Sequence, residues 1–463
     1  MKITIIHPCI GRRIDQKKYI QTWQMESLGA AVLASLTPKE IQLKFYDDRV
    51  EPIPYDDPTD LVAITVETYT AKRAYQIASE YRNRNIPVVM GGFHASLCPE
   101  EVSQYAESVI IGEAESVWKK VLEDAAKGTL RIYYYSSKRP NLSGVMPDRS
   151  IFSGKNYVPV TLIEANRGCN FNCEFCSICQ MFEHSHNHRP NKDIVAELQK
   201  FRNKRLVFFV DDNIASDIEK AKEFARAISP LKIHWVGQMS INAAHDEELL
   251  QLLVKSGCFC VLIGLESLNP VNLKKMNKSF NVMSGGYEEA LAKLRKFDIR
   301  LYITFVFGYD EDSEESIAET VEFAIKHNFY IAAFNHLTPF PGTPLYNRLE
   351  QENRLLYEKW WLDDNYSYNK IPFQPVNISP ELLQRSCLEA RAGFYTLKSI
   401  WKRGFDSVNR KKISMWLRYY QINWAIRNEI YKRNFYPLGD KSWQGELIKV
   451  REFPAPLKKI SKG

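Results

Sequence analysis

Residues 1–135 alternate apolar runs with amphipathic segments. The apolar runs predict five β-strands, which read KITIIHP, IQLKFYD, DLVAITVET, IPVVMGG and SVIIGEAE. The segments between them, such as LGAAVLASL, AKRAYQIASEYRNR and SVWKKVLEDAAKG, predict helices. Apolar strands that alternate with helices indicate a parallel sheet covered on both faces. We therefore predict a doubly wound α/β sheet here, with any ligand beyond the carboxyl ends of its strands.

The strand–helix alternation resumes after residues 136–158, a stretch rich in Ser, Pro, Gly and Asn that predicts a linker. Six further predicted strands end at VTLIEANRG, RLVFFVDDN, KIHWVGQMS, FCVLIGLES, IRLYITFVFG and YIAAFNHLTPF. Six strand–helix units fit a partial parallel (β/α)6 barrel over residues 159–355. Function in such barrels lies at the carboxyl ends of the strands. Residues 356–463 are predicted to form a helical region, with WLRYYQINWAIRNEIYKRNFYPLGD as its longest segment.

The composition fits a globular chain that works in the cytoplasm. The 463 residues are 45% hydrophobic, without an apolar run of ~18 residues that would predict a transmembrane helix. The start, MKITIIHPCI, lacks the long apolar stretch of a signal peptide. Of nine cysteines, four fall between Cys169 and Cys179, and such clustering favours metal ligation over disulfides.

Cys169, Cys173 and Cys176 follow the first predicted barrel strand with the spacing Cys-x3-Cys-x2-Cys. Thiolates suit iron–sulfur clusters and zinc. Structural zinc usually takes two separated Cys-x2-Cys pairs, and no distant pair completes such a site here. Three thiolates would leave one iron of a four-iron cluster open to a co-substrate. We interpret Cys179 as a bystander packed near the loop, with a functional role as the alternative, and a structural metal site as the alternative for the whole loop.

This spacing, with Phe175 before the last cysteine, resembles the radical S-adenosylmethionine (SAM) superfamily. The resemblance implies a [4Fe–4S] cluster on the three cysteines, whose open iron binds SAM, and a 5′-deoxyadenosyl radical that abstracts hydrogen from an unactivated carbon. It also implies SAM contacts at Phe175, Asp211, Asp212, Asn213, Gln238, Ser240, Glu266 and Ser267, although each strand-end residue among them has a structural alternative. The segment EHSHNHRP contains His184, His186 and His188, and we predict a solvated loop there rather than a metal site.

The stretches TVETYTAKRAYQIA, VVMGGFHAS and IIGEAE resemble the Rossmann-like cobalamin-binding domain that precedes the barrel in one branch of this superfamily. That branch includes hopanoid C-methylases and anaerobic tetrapyrrole cyclases. The resemblance implies cobalamin contacts at Thr65, Thr68, Thr70, Gly91, Gly92 and Gly112, with glycine where a side chain would block the cofactor. The Asp-x-His-x-x-Gly motif, whose histidine ligates cobalt in many such domains, is missing, and we expect structural or polar roles for His7 and His94. A scaffold without cobalamin is the alternative.

The C-terminal region is basic and aromatic. From Lys398 to Gly463 there are 16 Lys and Arg against 5 Asp and Glu, within a chain of net charge +7. Trp and Tyr beside cations suit a membrane interface with anionic lipid. A helical cap over the barrel, with its rings in the core and its charges in solvent, is the other interpretation. A phosphate-bearing substrate would also fit, and we expect no nucleic acid.

The leading hypothesis from these resemblances is a cobalamin-dependent C-methyltransferase that acts on an unactivated carbon of a lipid, tetrapyrrole or natural product. One SAM would place a methyl group on cobalt and a second would generate the radical. The first alternative is a cyclase or rearrangement enzyme of the same branch without methyl transfer, and the second is a non-enzymatic iron–sulfur protein. The expected partners are a small-molecule or lipid substrate, an external flavodoxin- or ferredoxin-like electron donor, and the inner face of a membrane as a peripheral contact.

Overall fold

The computed structural model describes residues 1–14, 24–136, 138–201, 206–282, 285–432, 434–452 and 457. The chain divides into two compact units. The N-terminal unit comprises Met1–Val158, Lys359–Ser367 and Tyr436–Gly463. The barrel unit comprises Pro159–Glu358 and Tyr368–Phe435. The segment 136–158, predicted as a linker, is therefore part of the N-terminal unit, and the predicted C-terminal region is divided between the two units.

The N-terminal unit is built on a parallel sheet. Its strands are β1 (Lys2–His7), β2 (Gly11–Arg12), β3 (Gln42–Asp47), β4 (Leu61–Thr65), β5 (Val88–Gly91), β6 (Ser108–Ile111) and β7 (Tyr133–Tyr135), and its helices are α1 (Leu28–Leu36), α2 (Ala71–Arg82), α3 (Phe93–Leu97), α4 (Pro99–Val102) and α5 (Trp118–Ala126). Among the described residues, six strands pair in the order β3-β1-β4-β5-β6-β7. The predicted doubly wound sheet is confirmed. The apolar pattern missed β7, because only Tyr134 of this edge strand is buried.

Strand order reverses at β1, since the chain continues to β3 on one side of it and to β4 on the other. In a doubly wound sheet this reversal opens a crevice at the carboxyl ends of the two strands. Here those ends are His7 and Thr65. The fold therefore places the loop after β4 beside the expected ligand crevice.

The barrel unit has a second parallel sheet. Its strands are β8 (Val160–Ile163), β9 (Asn166–Gly168), β10 (His186–His188), β11 (Leu206–Phe209), β12 (His234–Gln238), β13 (Cys258–Glu266), β14 (Arg300–Phe307) and β15 (Ile331–His336). Within the described part of the chain, the sheet order β15-β14-β13-β12-β11-β8 follows the sequence order, and every pair is parallel. Since β8 and β15 are the two edges, the barrel is partial, and the predicted fold class is confirmed.

The helices of the barrel unit are α6 (Ser177–Met181), α7 (Asn191–Gln199), α8 (Ile218–Ile228), α9 (Glu247–Lys255), α10 (Pro270–Lys275), α11 (Gly286–Lys296), α12 (Glu314–Lys326), α13 (Pro344–Gln351), α14 (Pro380–Phe394), α15 (Leu397–Gly404) and α16 (Ile413–Glu429). Local side-chain contacts and backbone conformation explain where these helices begin and end, as α9 illustrates. The Asp246 side chain caps α9 by accepting from Leu249 N at 2.8 Å, and Lys255 lies in its last turn, where a cation favours the helix dipole. Gly257 then reverses the chain with φ +97°, where a Cβ would lie 1.9 Å from Ile233 O.

Arg403 fixes the C-terminal helices through neutral oxygen acceptors. Its guanidinium is fully buried and donates to Phe329 O at 2.8 Å and Phe394 O at 3.0 Å. It also donates to the Asn423 side chain at 3.2 Å, which ties α16 to α15. Helix α16 ends at Glu429, and the predicted longer helix is wrong beyond that point, because Tyr436 begins a strand. None of the helices in the described ranges has the length and apolar character of a membrane span.

The remaining short strands are β16 (Ser367–Tyr368), β17 (Tyr436–Pro437) and β18 (Gly439–Asp440). The late segments join the N-terminal unit through buried polar contacts. The indole of Trp361, which is 2% exposed, donates to Glu101 at 2.9 Å. The side chain of Gln76 exchanges two hydrogen bonds with the backbone of Asp440, at 2.7 and 3.1 Å. Such long-range side-chain contacts have no signal in local hydrophobic periodicity.

Candidate active site

The two ends of the cysteine loop lie side by side in the barrel unit. Strands β9 and β10 form an antiparallel pair in which Gly168 faces His186 and Asn166 faces His188. The Nε2 atom of His186 lies 2.7 Å from Asn166 Oδ1. The prediction of a solvated loop is wrong for His186–His188, because these half-buried residues are the second strand of that pair. The hairpin closes the base of the cysteine loop.

Two aspartates after β11 hold the first strand of this hairpin. The buried carboxylate of Asp211 accepts from the backbone N–H groups of Ala165 and Asn166, at 2.8 and 2.5 Å. Asp212 accepts from Gly168 N at 2.7 Å. Burial raises the pKa of Asp211 well above its usual range, and its Oδ2 atom has no hydrogen-bond partner among the described residues. Both predicted SAM contacts thus serve the loop itself.

Asn213 joins Cys169 to the next strand. Its side-chain amide lies 3.8 Å from Cys169 Sγ and donates to Ser240 Oγ at 3.1 Å. Its Oδ1 atom accepts from Ser240 N at 3.2 Å. The structure therefore brings together three of the predicted residues. An N–H group beside a cluster thiolate is a recognised means of tuning such a ligand.

Cys173 lies in the field of a buried ion pair. Glu266, in a left-handed conformation at φ +66°, pairs with Lys278 at 2.8 Å, and Lys278 also donates to Gly264 O at 3.1 Å. Burial raises the pKa of Cys173 to about 12, against the opposing field of the Lys278 ammonium. Burial alone would lower the pKa of Lys278, yet it is raised, because Glu266 and the thiols face it. Sequence analysis missed Lys278, which follows a helix rather than a strand end.

Glu174, between two of the cysteines, anchors the middle of the loop. Its carboxylate accepts from Arg348 Nε at 2.7 Å and from the hydroxyl of Tyr309 at 3.1 Å. Its backbone O accepts from Leu345 N at 3.2 Å. Leu345 lies in the Pro/Gly segment TPFPGTPLY, for which the sequence predicted no catalytic role. This segment therefore supports the cysteine loop. In the sequence, the one sign of this contact is an acidic residue, Glu174, inside the cysteine motif.

Cys179 and Phe175 face the protein interior. Cys179 is 1% exposed, and its thiol donates to Phe171 O at 3.0 Å. Phe175 packs against the hydrophobic core of the barrel unit. Cys176 lies at the N-cap position of α6, and its side chain makes no capping hydrogen bond. Cys179 therefore already has a partner within the loop.

Two of the predicted SAM contacts, Ser267 and Gln238, make no contact with the cysteines among the hydrogen bonds of the described residues. The hydroxyl of Ser267 accepts from Asn269 N at 3.1 Å and starts the turn into α10. Gln238 is half-buried at the end of β12, where its backbone O accepts from Ile214 N at 2.9 Å. Its side chain has no hydrogen-bond partner among the described residues. Gln238 is thus free to contact a ligand, whereas Ser267 is committed to the turn.

The donor set on this loop fits an iron–sulfur cluster. No three His, Cys, Asp or Glu side chains of the described residues converge on a single point that would hold one metal ion. Ligands of a four-iron cluster each bind a different iron atom, so they need no common point. Three thiols within eight positions, an amide N–H near Cys169 and an ammonium near Cys173 match a cluster that carries negative charge.

In the N-terminal unit the predicted cobalamin contacts lie at the carboxyl ends of β4, β5 and β6. Thr65 Oγ1 is 3.2 Å from His7 Nδ1, and Thr68 Oγ1 is 3.3 Å from Nδ1 of the buried His94. The hydroxyl of Thr70 accepts from Glu67 N at 3.1 Å. Burial lowers the pKa of His7 to about 4, which leaves its ring neutral at pH 7. The three loops form one polar edge of the sheet.

The three glycines at this edge of the sheet differ in whether the fold itself requires a residue without a side chain. A Cβ on Gly92, at φ +107°, would lie 2.9 Å from Val66 O, and one on Gly112, at φ +89°, would lie 3.0 Å from Ser136 Cβ. The protein's own backbone therefore requires both. Gly91 has no left-handed φ, and a Cβ there would meet only Ile110, at 3.5 Å. Gly91 is therefore the one of these three glycines that neither a left-handed φ nor a clash within the protein requires.

The chain is similar to enzymes of radical chemistry. The sequence profile of the Radical SAM superfamily matches residues 163–324. The bacteriochlorophyllide d C-12(1)-methyltransferase of Chlorobaculum tepidum is 32% identical over 81% of this chain and 84% of its own length. The anaerobic magnesium-protoporphyrin IX monomethyl ester cyclase of Cereibacter sphaeroides is 26% identical over 70% of this chain and 56% of its own.

Among solved structures, the radical SAM methyltransferase TsrM from Kitasatospora setae, with cobalamin and a [4Fe–4S] cluster bound, aligns with a TM-score of 0.64. The alignment covers 92% of this chain and 99% of that one at 15% identity. At this identity the likeness shows a shared fold.

The first prediction concerns the number of cysteine ligands. After anaerobic reconstitution, Cys173→Ala should lose about nine-tenths or more of its bound iron and its visible absorbance, because a cluster held by three thiolates fails when one is removed. Cys179→Ala is the matched control and should retain both. Equal loss in Cys179→Ala would mean a fourth protein ligand and no open iron.

The second prediction concerns the anchor of the loop. Arg348→Gln should release iron to a chelator at least about 10-fold faster than the wild type, because charge-assisted hydrogen bonds to Glu174 contribute about 1.5–3 kcal/mol. Arg354→Gln removes the same charge beside the same Asp310 but does not contact Glu174. It should change the rate less than about 2-fold. Equal acceleration in both variants would show that Glu174 does not hold the loop.

Proposed function

Since the chain belongs to the radical SAM superfamily and is related to methyltransferases, we propose that it is a cobalamin-dependent C-methyltransferase whose substrate is a cyclic tetrapyrrole. One observation carries the proposal. The three-thiol loop, the partial barrel and the doubly wound sheet occur in one chain that is 32% identical, over most of its length, to a bacteriochlorophyllide d methyltransferase. The assignment of an enzyme that uses SAM follows from the family itself.

We assign Cys169, Cys173 and Cys176 as the ligands of a [4Fe–4S] cluster. When bound, such a cluster supplies the electron that cleaves SAM and yields a 5′-deoxyadenosyl radical. Asn213 and Lys278 place an N–H group and a positive charge near two of the sulfurs. Both would favour the thiolate form of the ligands over the thiol. The β9–β10 hairpin and Glu174 hold the loop so that the thiols need no further protein ligand.

SAM would bind along the carboxyl edge of the same sheet. Asp212, Asn213, Gln238 and Ser240 lie there on two neighbouring strand ends. Gln238 has an uncommitted side chain, and Asp212 carries a partly exposed carboxylate suited to an ammonium group. Glu266 and Ser267 would contribute mainly through the shape of the loop after β13, since their polar atoms already have partners.

Cobalamin would occupy the carboxyl edge of the N-terminal sheet. The support is the position of Thr65 at the strand-order reversal and the presence of glycine at position 91, which neither its φ nor a clash with the protein's own atoms requires. When bound, cobalamin supplies a carrier for the methyl group. The polar edge formed by the loops after β4, β5 and β6 offers hydroxyls and backbone groups to its polar periphery.

A cyclisation without methyl transfer is the second candidate. The observation in its favour is the similarity to a magnesium-protoporphyrin cyclase, which is 26% identical over 70% of this chain. The tetrapyrrole is common to both candidates. The methyltransferase reading ranks first because its relative is more similar and is covered over 84% of its length.

An external electron donor of the flavodoxin or ferredoxin type would supply the electrons. Outside the cysteine loop, the described cysteines are Cys9, Cys98, Cys258, Cys260 and Cys387. They are too scattered in sequence for a second cluster motif.

We further propose peripheral contact with an anionic membrane through α15 and α16. Exposed apolar side chains follow one face of each helix: Leu397, Trp401 and Phe405 on α15 and beyond, and Ile413, Leu417, Trp424 and Tyr431 along α16. Trp401 joins the two faces, since its ring lies 5.1 Å from that of Tyr420. Exposed cations flank them: Lys398, Lys402, Arg410, Lys411, Lys412, Arg418 and Lys432. This pattern fits an interfacial helix pair on anionic lipid.

The third prediction tests the reaction. Reconstituted enzyme with cobalamin, a reductant, bacteriochlorophyllide d and methyl-deuterated SAM should form a tetrapyrrole that is heavier by one labelled methyl group. S-adenosylhomocysteine and 5′-deoxyadenosine should appear in equal amounts, because one SAM donates the methyl group and another provides the radical. Formation of 5′-deoxyadenosine without S-adenosylhomocysteine would instead support cyclisation, and Cys176→Ala should form neither the labelled product nor 5′-deoxyadenosine.

The fourth prediction tests the membrane face. The protein should sediment with vesicles rich in phosphatidylglycerol and remain in solution with phosphatidylcholine alone. The double variant Trp401→Ala/Trp424→Ala should bind at least about 10-fold more weakly, because interfacial Trp rings and cations act together. Leu356→Ala/Val376→Ala removes exposed apolar side chains elsewhere and should bind like the wild type. Equal binding of all three proteins would exclude α15 and α16 as the contact.

A further inference from the structure

A cavity of about 150 Å³ lies at the edge of the barrel unit, where β15 ends beside α14. His336, the last residue of β15, forms one wall, and Gln384 and Arg391 of α14 form another. Asn369 and Asn434, whose side chains are joined at 2.9 Å, line a third side. None of these residues belongs to the cysteine loop or to its supports. The cavity is therefore a separate site within the same unit.

His336 is a buried polar side chain in the wall of this cavity. It is 7% exposed, and its Nε2 atom is buried without a hydrogen-bond partner among the described residues. An unpaired buried polar group costs about 1–3 kcal/mol, so such groups in folded proteins mark a bound water or ligand. Burial lowers the pKa of His336 to about 3. At neutral pH the ring is uncharged and offers one N–H donor and one lone pair.

The cavity has an excess of positive charge. Arg391 uses its Nε atom to donate to Phe334 O at 2.8 Å, and it has no acidic partner among the described residues. Arg385 lines the same cavity and has only a loose contact with Glu389, at 3.8 Å. No Asp or Glu is among the described residues that line the cavity. The terminal nitrogens of Arg391 thus remain available to an anion.

Size and shape narrow the class of anion. A pocket for a whole drug-sized ligand has about 300–1,000 Å³, so this cavity takes only part of such a molecule. A guanidinium presents paired N–H groups that match the two oxygens of a carboxylate. The amides of Gln384, Asn369 and Asn434 add neutral polar groups around that position. A carboxylate on a short alkyl arm satisfies the volume, the charge and the hydrogen bonds together.

We propose that this cavity binds a carboxylate arm of the substrate, with Arg391 as its counter-ion and His336 and Gln384 as hydrogen-bond partners. The inference rests on the proposed function, because cyclic tetrapyrroles carry propionate arms. Anchoring such an arm beside the last barrel strand fixes the macrocycle in one orientation relative to the carboxyl edge of the sheet. Arg391 is then a residue that determines substrate specificity rather than a catalytic residue.

The test compares a chlorin that carries one free propionate with its methyl ester, in binding titrations that follow quenching of tryptophan fluorescence without SAM. The wild type should bind the acid at least about 10-fold more tightly, as expected for a charge-assisted, bidentate contact. Arg391→Gln should bind both forms alike, and Arg391→Lys should recover part of the preference. Arg226→Gln, which removes an exposed arginine outside the cavity, should keep the wild-type preference.

Folding is checked by the thermal midpoint of each variant, and sodium propionate alone provides an independent readout. Propionate should raise the midpoint of the wild type but not that of Arg391→Gln, since a ligand of the folded state stabilises it. Equal binding of acid and ester by the wild type would overturn the proposal, even if methylation of bacteriochlorophyllide d proceeds. If neither chlorin binds but propionate still stabilises the wild type through Arg391, the carboxylate site stands and the tetrapyrrole assignment fails.

Discussion

The structure of the barrel unit depends on how one short loop holds three thiols in a fixed arrangement. A loop with so few residues has no hydrophobic core of its own, so its order must come from its surroundings. The β9–β10 pair joins its two ends, Asp211 and Asp212 hold the first of these strands, and Glu174 fixes its middle through Arg348. Because the ends and the middle are held independently, contacts of the loop with the rest of the barrel unit define where the three sulfurs lie.

The same supports explain why acids and amides gather at one edge of the sheet. In a parallel barrel the carboxyl ends of all strands lie at one edge, so a residue after any strand reaches the loop that follows β8. Asn213 and Ser240 come from successive strands and meet beside Cys169. Lys278 reaches Cys173 from beyond β13 and is kept charged by Glu266. Structural and cofactor roles are therefore not exclusive at this edge, and the loop-supporting hydrogen bonds of Asp212 and Asn213 are compatible with the SAM contacts proposed for them.

The sequence predicted the features that depend on local pattern. Strand–helix alternation predicted both sheets, and the cysteine spacing predicted the cluster motif. It did not predict the pair Glu174–Arg348, whose members are separated by most of the barrel, or the contact of Trp361 with Glu101. Such contacts depend on tertiary packing and leave no periodic signal. The glycines show the same limit: Gly92 is required by the backbone at Val66, whereas Gly91 is not, and the sequence treats them alike.

Two buried polar groups near the end of the barrel sheet illustrate how structure separates folding from binding. Arg403 is as deeply buried as any residue of the chain, yet carbonyl and amide oxygens surround its guanidinium, so its burial stabilises the C-terminal helices. His336 is nearly as buried, and its Nε2 atom has no hydrogen-bond partner in the part of the chain that the structure describes. The fold satisfies the first group fully and leaves Nε2 of the second unpaired among the described residues, and this contrast is the observation on which the proposed carboxylate site depends.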